Sequence, residues 1–228
     1  MSGTTAINAL RYATLGDAAN ANTLSQNLAS DLDTRLIPRF ASQAARDAAI
    51  TSPTNGMFAY TTDTSDMWLY SGSKWKWAYP KMLIHTSSTS VTSSTALVDA
   101  AGLTVAVNAN STYSFDCVFF TLAGTAGDVK ITHVFPSSDY NIGQMCLQSA
   151  ATTVTDTITA TSTRGSATTA GPAIQIPGAG TDLMGQVYGY LGVGGAGGTF
   201  KVQYAQWTSS GTASWLLNGS YMRVTQTG

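Results

Sequence analysis

One pattern governs the C-terminal part of the chain. Apolar and polar residues alternate in short runs, and Gly, Asn, Ser and Thr cut the runs apart. The runs are Leu103–Val107, Tyr113–Phe120, Asp128–Val134, Val154–Thr163, Leu183–Val193, Phe200–Trp207 and Ser220–Val224. Period-two alternation buries one face of a strand. Strands at this spacing, with no helical periodicity, predict a jelly-roll β-sandwich over residues 81–228. Composition points the same way. The 228-residue chain is 43% hydrophobic, enough for a core, yet only 10% charged, where soluble domains carry about a quarter. All twelve acidic residues are Asp. Ser, Thr, Gly and Ala take the places that Glu and Lys hold in solvated helices, which favours strands and turns.

Upstream, Gly56–Pro80 packs Phe58, Tyr60, Trp68, Tyr70, Trp75, Trp77 and Tyr79 into one short segment. Met57–Thr61 reads as a strand, Thr62–Asp66 as a turn cluster and Met67–Tyr70 as the return strand. Ser71–Ser73 is a second tight turn before the alternating Lys74–Trp77. This is a β-meander too short to cover its own aromatic surface. Another surface has to cover it, from elsewhere in the chain or from further copies.

Residues 1–22 are rich in Ala, Asn and Gly, with Leu10, Tyr12 and Leu15 as isolated anchors. They read as an extended segment that orders on a partner. Thr23–Gln26 forms a capping box. Leu24, Leu28, Leu32 and Leu36 follow at i+4 spacing on a helix that Pro38 stops, with Asp31 and Arg35 as a favourable pair. So short a helix is marginal alone. Its stripe predicts a bundle with copies of itself, or packing against the meander. Ser42–Ile50 reads as a second short helix. The expected organisation is a docking segment over 1–40, a short helix plus meander over 41–80, and the β-domain over 81–228.

Several function classes are disfavoured. Net charge is −1 with no basic block, so no nucleic-acid surface is expected. No apolar run approaches the ~20 residues that span a bilayer, so no membrane insertion is expected. The N-terminus lacks the pattern of a signal peptide, which suggests synthesis in a cytosol. His85 and His133 are the two histidines, and His133 sits mid-strand as a structural residue. No HxH, HExxH or CxxC spacing supplies zinc ligands, and no GxSxG elbow is present. The scattered Asp residues suggest no glycosidase pair. The glycines of Gly192–Gly198 lie between two strands rather than ahead of a helix, so they read as a hairpin loop and not a phosphate loop. Cys117 and Cys146 read as buried free thiols, with a disulfide as the alternative. No catalytic residue, metal or cofactor is expected. Trp207 and Trp215 are candidate receptor contacts, or core residues, since Gln203, Ala205 and Trp207 alternate with Tyr204 and Gln206 and either set can face inward. The loops near Gly165–Gly180 and Gly192–Gly198 are expected to form a tip.

The order of these parts resembles the minor tail and fibre-like proteins of tailed bacteriophages, especially those infecting actinobacteria. Arg39-Phe40-Ala41, Ala45-Arg46-Asp47, Tyr60 with Asp63-Thr64, and Tyr70-Ser-Gly72 with Trp75 carry that likeness. The β-domain is similar in style to trimeric jelly rolls of fibre tips and of the TNF/C1q type, through Tyr113-Ser-Phe115 and Gly219–Arg223. The resemblance implies a homotrimer without catalytic residues, made in the host cytoplasm and carried in the virion. Its N-terminal segment would dock on other virion proteins, and its β-domain would face outward, toward host cell-wall glycan. It also implies that symmetry mates and the base of the β-domain cover the meander. Leu24, Leu28, Leu32, Leu36, Phe58, Tyr60, Trp68, Tyr70, Trp75 and Trp77 would then be trimer and packing residues. A capsid decoration protein, a head fibre, a glycan-binding adhesin and a tailspike glycosidase are the alternatives.

Overall fold

The computed structural model describes residues 3–4, 11–12, 23, 25–29, 36–124, 126–136, 138–147, 159–167 and 173–228. Residues 3–4, 11–12, 138–147 and 159–167 are described by backbone only. The chain divides into two compact units, Met1–Ala78 and Tyr79–Gly228.

In the first unit β1 (Gly3–Thr4) pairs antiparallel with β2 (Arg11–Tyr12). Residues 25–29 are helical, and so is Thr23, which therefore does not flank the helix as the capping box required. Leu24, Leu32, Asp31 and Arg35 lie outside the described residues. Leu28 is helical and exposed, whereas Leu36 lies in a bend and is 63% exposed. The leucine stripe thus does not continue helically to Leu36. Ile37 precedes Pro38, whose ring pushes it away from helical backbone.

The meander is a four-stranded sheet in the order β3 (Arg39–Phe40), β4 (Phe58–Thr61), β5 (Asp66–Tyr70), β6 (Trp75–Trp77). β3 and β4 run parallel, and such a pair needs a crossover. Helix α1 (Gln43–Ala49) supplies it. Ser42 caps α1 in extended conformation, its Oγ accepting from Ala45 N–H at 3.2 Å. Ala59, Trp68 and Trp77 are register partners in one row, and all three are buried. Trp68 Nε1 donates to Thr61 Oγ1 at 3.0 Å. Over this face lies Arg46 of α1, 3% exposed, its guanidinium 4.7 Å from the Trp68 ring centre and 4.6 Å from that of Trp75. The chain's own helix therefore covers the tryptophan face, a correction to the expectation that symmetry mates would. Phe58 on the opposite face is exposed, while Tyr60, Tyr70 and Trp75 are half-buried.

The second unit contains β7 (Lys81–Ile84), β8 (Thr89–Val91), β9 (Val98–Val107), β10 (Thr112–Leu122), β11 (Val129–Val134) and β12 (Ser138–Leu147). It continues with β13 (Thr159–Ala167), β14 (Ile174–Ile176), β15 (Asp182–Val193), β16 (Gly198–Gln206), β17 (Ser214–Leu216) and β18 (Tyr221–Gln226). Residues 154–158 of the expected run at 154–163 lie outside the described residues. The smaller sheet has the order β14-β11-β16-β9. In the larger, β13-β12-β15-β10 continues to β18 and β7 along most of β10, and to β17 and β8 at its Leu122 end. Except for the β12–β13 hairpin, successive long strands from β9 to β16 alternate between the two sheets. This is the jelly-roll connection expected from the sequence.

Inward residues of β10 (Tyr113, Phe115, Cys117, Phe119) meet Phe200, Val202 and Tyr204 of β16 and Ile131 and His133 of β11, all buried. Aromatic rings fill the centre, with Phe115 and Phe200 at 5.0 Å and Phe135 and Phe200 at 5.3 Å between centres. The core tyrosines are pinned by their hydroxyls. Tyr113 accepts from Asn108 N–H at 2.8 Å, and Tyr204 donates to Thr89 at 2.7 Å.

The chain enters this unit at Lys81, in register with Val224 and through it with Phe115. Gly228 bonds Thr112 at the same end. Residues 194–198 lie there too, against Val107, Asn110 and Pro136. Gly178 and Gly180 lie at the other end of β10, against Ala123, Gly124 and Asp128. Of the first loop, Gly165 is in register with Tyr140 and through it with Leu191, at the same end as residues 194–198, whereas Gly178 and Gly180 lie at the other end. Residues 168–172 of the first loop lie outside the described residues.

Candidate functional site

With the odd positions of β10 turned into the core, Ser114, Asp116, Val118, Phe120 and Leu122 fall on the outer face of the larger sheet. Register then fixes their neighbours. Asp116 sits between Arg223 and Tyr188, with Met82 beyond Arg223. Val118 sits between Tyr221 and Gln186, with Ile84 beyond Tyr221. Phe120 pairs with Met184, Leu122 with Trp215, and Ser114 with Tyr190. Met82, Ile84, Phe120, Tyr188, Tyr190 and Trp215 are all exposed. The face spans four strands and about eight residues of strand length, on the order of 400 Å². The largest apolar patch of a typical soluble monomer measures about 300–600 Å² and is often a contact site. Polar Ser114 and Gln186 and one ion pair interrupt it: Arg223 Nε lies 2.7 Å from Asp116 Oδ1.

The end of the sandwich remote from chain entry is tied together through Asp128. Its Oδ1 accepts from Gly178 N–H at 2.6 Å, its Oδ2 from Gln175 Nε2, and its backbone carbonyl from the Ser214 hydroxyl at 3.0 Å. Buried Gln206 accepts from Ser94 and Ser210 N–H and donates to the Ser210 and Thr212 carbonyls. Trp207 follows directly, its N–H donating to Gly127 O at 3.1 Å, and its side chain is exposed. Inward Tyr204 and Gln206 settle the alternation that sequence left open. Trp207 and Trp215 share this end but belong to different sheets, Trp207 beyond β16 and Trp215 on β17.

The remaining chemistry-bearing groups are enclosed. Cys117 is a free, buried thiol whose Sγ lies 3.7 Å from His133 Nε2. Burial first, and Asp116 second, raise its pKa well above the thiol range. Cys146 lies in β12, among the residues described by backbone only. Burial among Phe115, Phe119, Phe135 and Phe200 lowers the His133 pKa to about 4. The two ring nitrogens of His85 are engaged by Ala101 O and Thr89 Oγ1. Among the described residues no cluster of three His, Cys or Asp could hold a metal ion, and no helix is long and apolar enough to cross a membrane. Sequence reading singled out Trp215 but missed Met82, Ile84, Phe120, Tyr188 and Tyr190. For Tyr188 and Tyr190 the signal was an apolar character on both faces of Leu183–Val193.

No protein-family model matches the sequence, and no curated protein does. Among solved structures the chain is similar to the tripod (BppUct-A-L) from the baseplate of bacteriophage Tuc2009, with 16% identity over 96% of this chain and 98% of that one and a TM-score of 0.25. It is also similar to two strains of infectious bursal disease virus. The Gx strain matches at 9% identity over 68% of this chain and 41% of that one, TM-score 0.16. The Gt strain matches at 11% over 75% and 48%, TM-score 0.17. TM-scores this low do not define a shared fold.

Proposed function

We propose that this chain is a structural component of a tailed-phage virion: a homotrimeric minor tail, fibre or spike protein. It docks on other virion proteins through residues 1–40 and turns the jelly-roll domain outward. The observation that carries this reading is the exposed aromatic face of the larger sheet. A jelly roll whose interior is filled and whose outer face still carries Met82, Ile84, Phe120, Tyr188, Tyr190 and Trp215 has a contact left to make. Further copies of the same chain provide it under rotational symmetry. The recurrent pieces between Arg39 and Trp75 supply the virion context. No catalysis, cofactor or nucleic acid enters this reading. Gold labelling of the β-domain in purified particles tests it by electron microscopy. Label on the tail supports it, label on the head identifies a decoration protein or head fibre of the same architecture, and particles without label reject it.

A second reading concerns the host surface. Trp207 and Trp215 are exposed at the end remote from chain entry, where aromatic faces suit stacking against cell-wall glycan. Glycan-array binding that is lost in Trp207→Ala or Trp215→Ala supports a receptor contact. Intact binding in both variants removes these tryptophans from it.

A further inference from the structure

We propose that the second face of the meander, opposite the buried tryptophans, is a docking surface for an acidic amphipathic helix of another virion protein. The inference rests on the docking reading above and names the chemistry of the partner. Two cross-strand rows make up this face. Phe58, Leu69 and Lys76 are register partners in one, and Arg39, Tyr60 and Met67 in the other. Register partners share a face. The Arg39 guanidinium shows it directly, lying 5.7 Å from the centre of the Tyr60 ring. Each row is thus a pair of apolar or aromatic residues closed by a cation. In the first row the cation stands on the outer strand β6, in the second on the opposite outer strand β3. Phe58 and Arg39 are exposed, and the other four are half-buried.

Charge decides what can sit here. Among the described residues no acidic side chain holds a register position on this face. Asp66 pairs with Thr61 on the buried side, and Asp63 lies in the turn. A partner covering the face with apolar groups alone would enclose two cations without counter-charge, which is costly. Acidic groups at both flanks of the partner remove that cost and fix its orientation. The spacing suits a helix. β3 and β6 are three strand spacings apart, about 14 Å, and a helix with its side chains is about 10–12 Å across. Laid along the strands, such a helix sets its apolar stripe on Phe58, Tyr60, Met67 and Leu69. Asp or Glu beside the stripe then reach Arg39 on one flank and Lys76 on the other. Arg39 closes the 1–40 segment assigned to docking, so this surface continues that segment.

The test replaces Phe58 by the photo-cross-linking residue benzoylphenylalanine in the full-length chain. Assembled particles are irradiated, and the cross-linked peptides are read by mass spectrometry. The expected product is a segment of another virion protein in which Asp or Glu flank an apolar stripe at helical spacing. In the variant Arg39→Glu/Lys76→Glu the far-UV circular dichroism should be unchanged, while the cross-link and the amount of chain per particle both fall about tenfold. Lys201→Met on the β-domain should change neither. No cross-link, or one to this chain itself, to nucleic acid or to a segment without acidic flanks, overturns the proposal. Wild-type incorporation of the double variant does the same. A wild-type chain that is absent from particles overturns the docking reading instead, and this inference with it.

Discussion

The guanidinium carbon of Arg46 lies 4.7 Å from the centre of the Trp68 ring, and both side chains are buried. Trp75 approaches the same cation at 4.6 Å, and Asp47 pairs with it at 2.8 Å. Among the described residues Arg46 Nη1 has no hydrogen-bond partner, so ring faces take the place of water around much of the cation. A desolvated cation–π contact is worth about 2 kcal/mol. Arg46→Ala should destabilise the meander by roughly 2–4 kcal/mol, since it also uncovers Trp68. Tryptophan fluorescence in urea reads this out. Arg46→Lys should fall between, because an ammonium group cannot stack on a ring as a planar guanidinium does. Wild-type stability in Arg46→Ala would mean that the helix backbone alone covers the tryptophans.

His133 gives the β-domain a specific response to acid. Its ordinary pKa of 6.5 falls to about 4 in the fold through burial. The titratable group in contact with it is the Cys117 thiol, which burial keeps protonated. Between pH 6.5 and 4 the unfolded state binds the extra proton, so stability rises with pH across that window. The contribution is fully present above 6.5 and lost as pH falls to about 4, amounting to roughly 3 kcal/mol. In His133→Leu that part of the pH dependence should vanish in urea midpoints measured from pH 4 to 7. An unchanged slope would show that carboxylates elsewhere set the acid response.

Gly178 is required by a close approach. A Cβ there would stand 2.2 Å from Gly124 O and 2.9 Å from Ala123 O, both backbone atoms. Gly178→Ala should separate these loops and weaken the bond to Asp128, costing about 2–3 kcal/mol. Hydrogen exchange should quicken at residues 123–128 and 175–180. Gly211→Ala, which meets nothing within 4 Å, should stay within about 0.5 kcal/mol of wild type.

Legibility followed one physical condition: a strand shows itself when one face is buried and the other is not. Tyr113–Phe120 and Phe200–Trp207 met that condition. β12 did not, because Asn141 and Gly143 punctuate Ser138–Leu147 like a loop. β8, β14 and β17 are three residues each, too short for a period to register. The aromatic outer face stayed hidden for the opposite reason. Tyr188 and Tyr190 alternate with inward Val187 and Leu191, so both faces of β15 are apolar and alternation names neither as exposed. Arg46 escaped notice because a charge on an Ala-rich helix reads as solvated. Its role depends on a parallel β3–α1–β4 crossover, which two residues of β3 cannot announce.

The most direct measurement is sedimentation equilibrium of the full-length chain at micromolar concentration. The proposed homotrimer predicts one species of three times the chain mass, which dissociates when Tyr188 and Tyr190 on the exposed face of the larger sheet are both replaced by Ser. A stable, folded monomer carrying that aromatic face open to water would contradict the account.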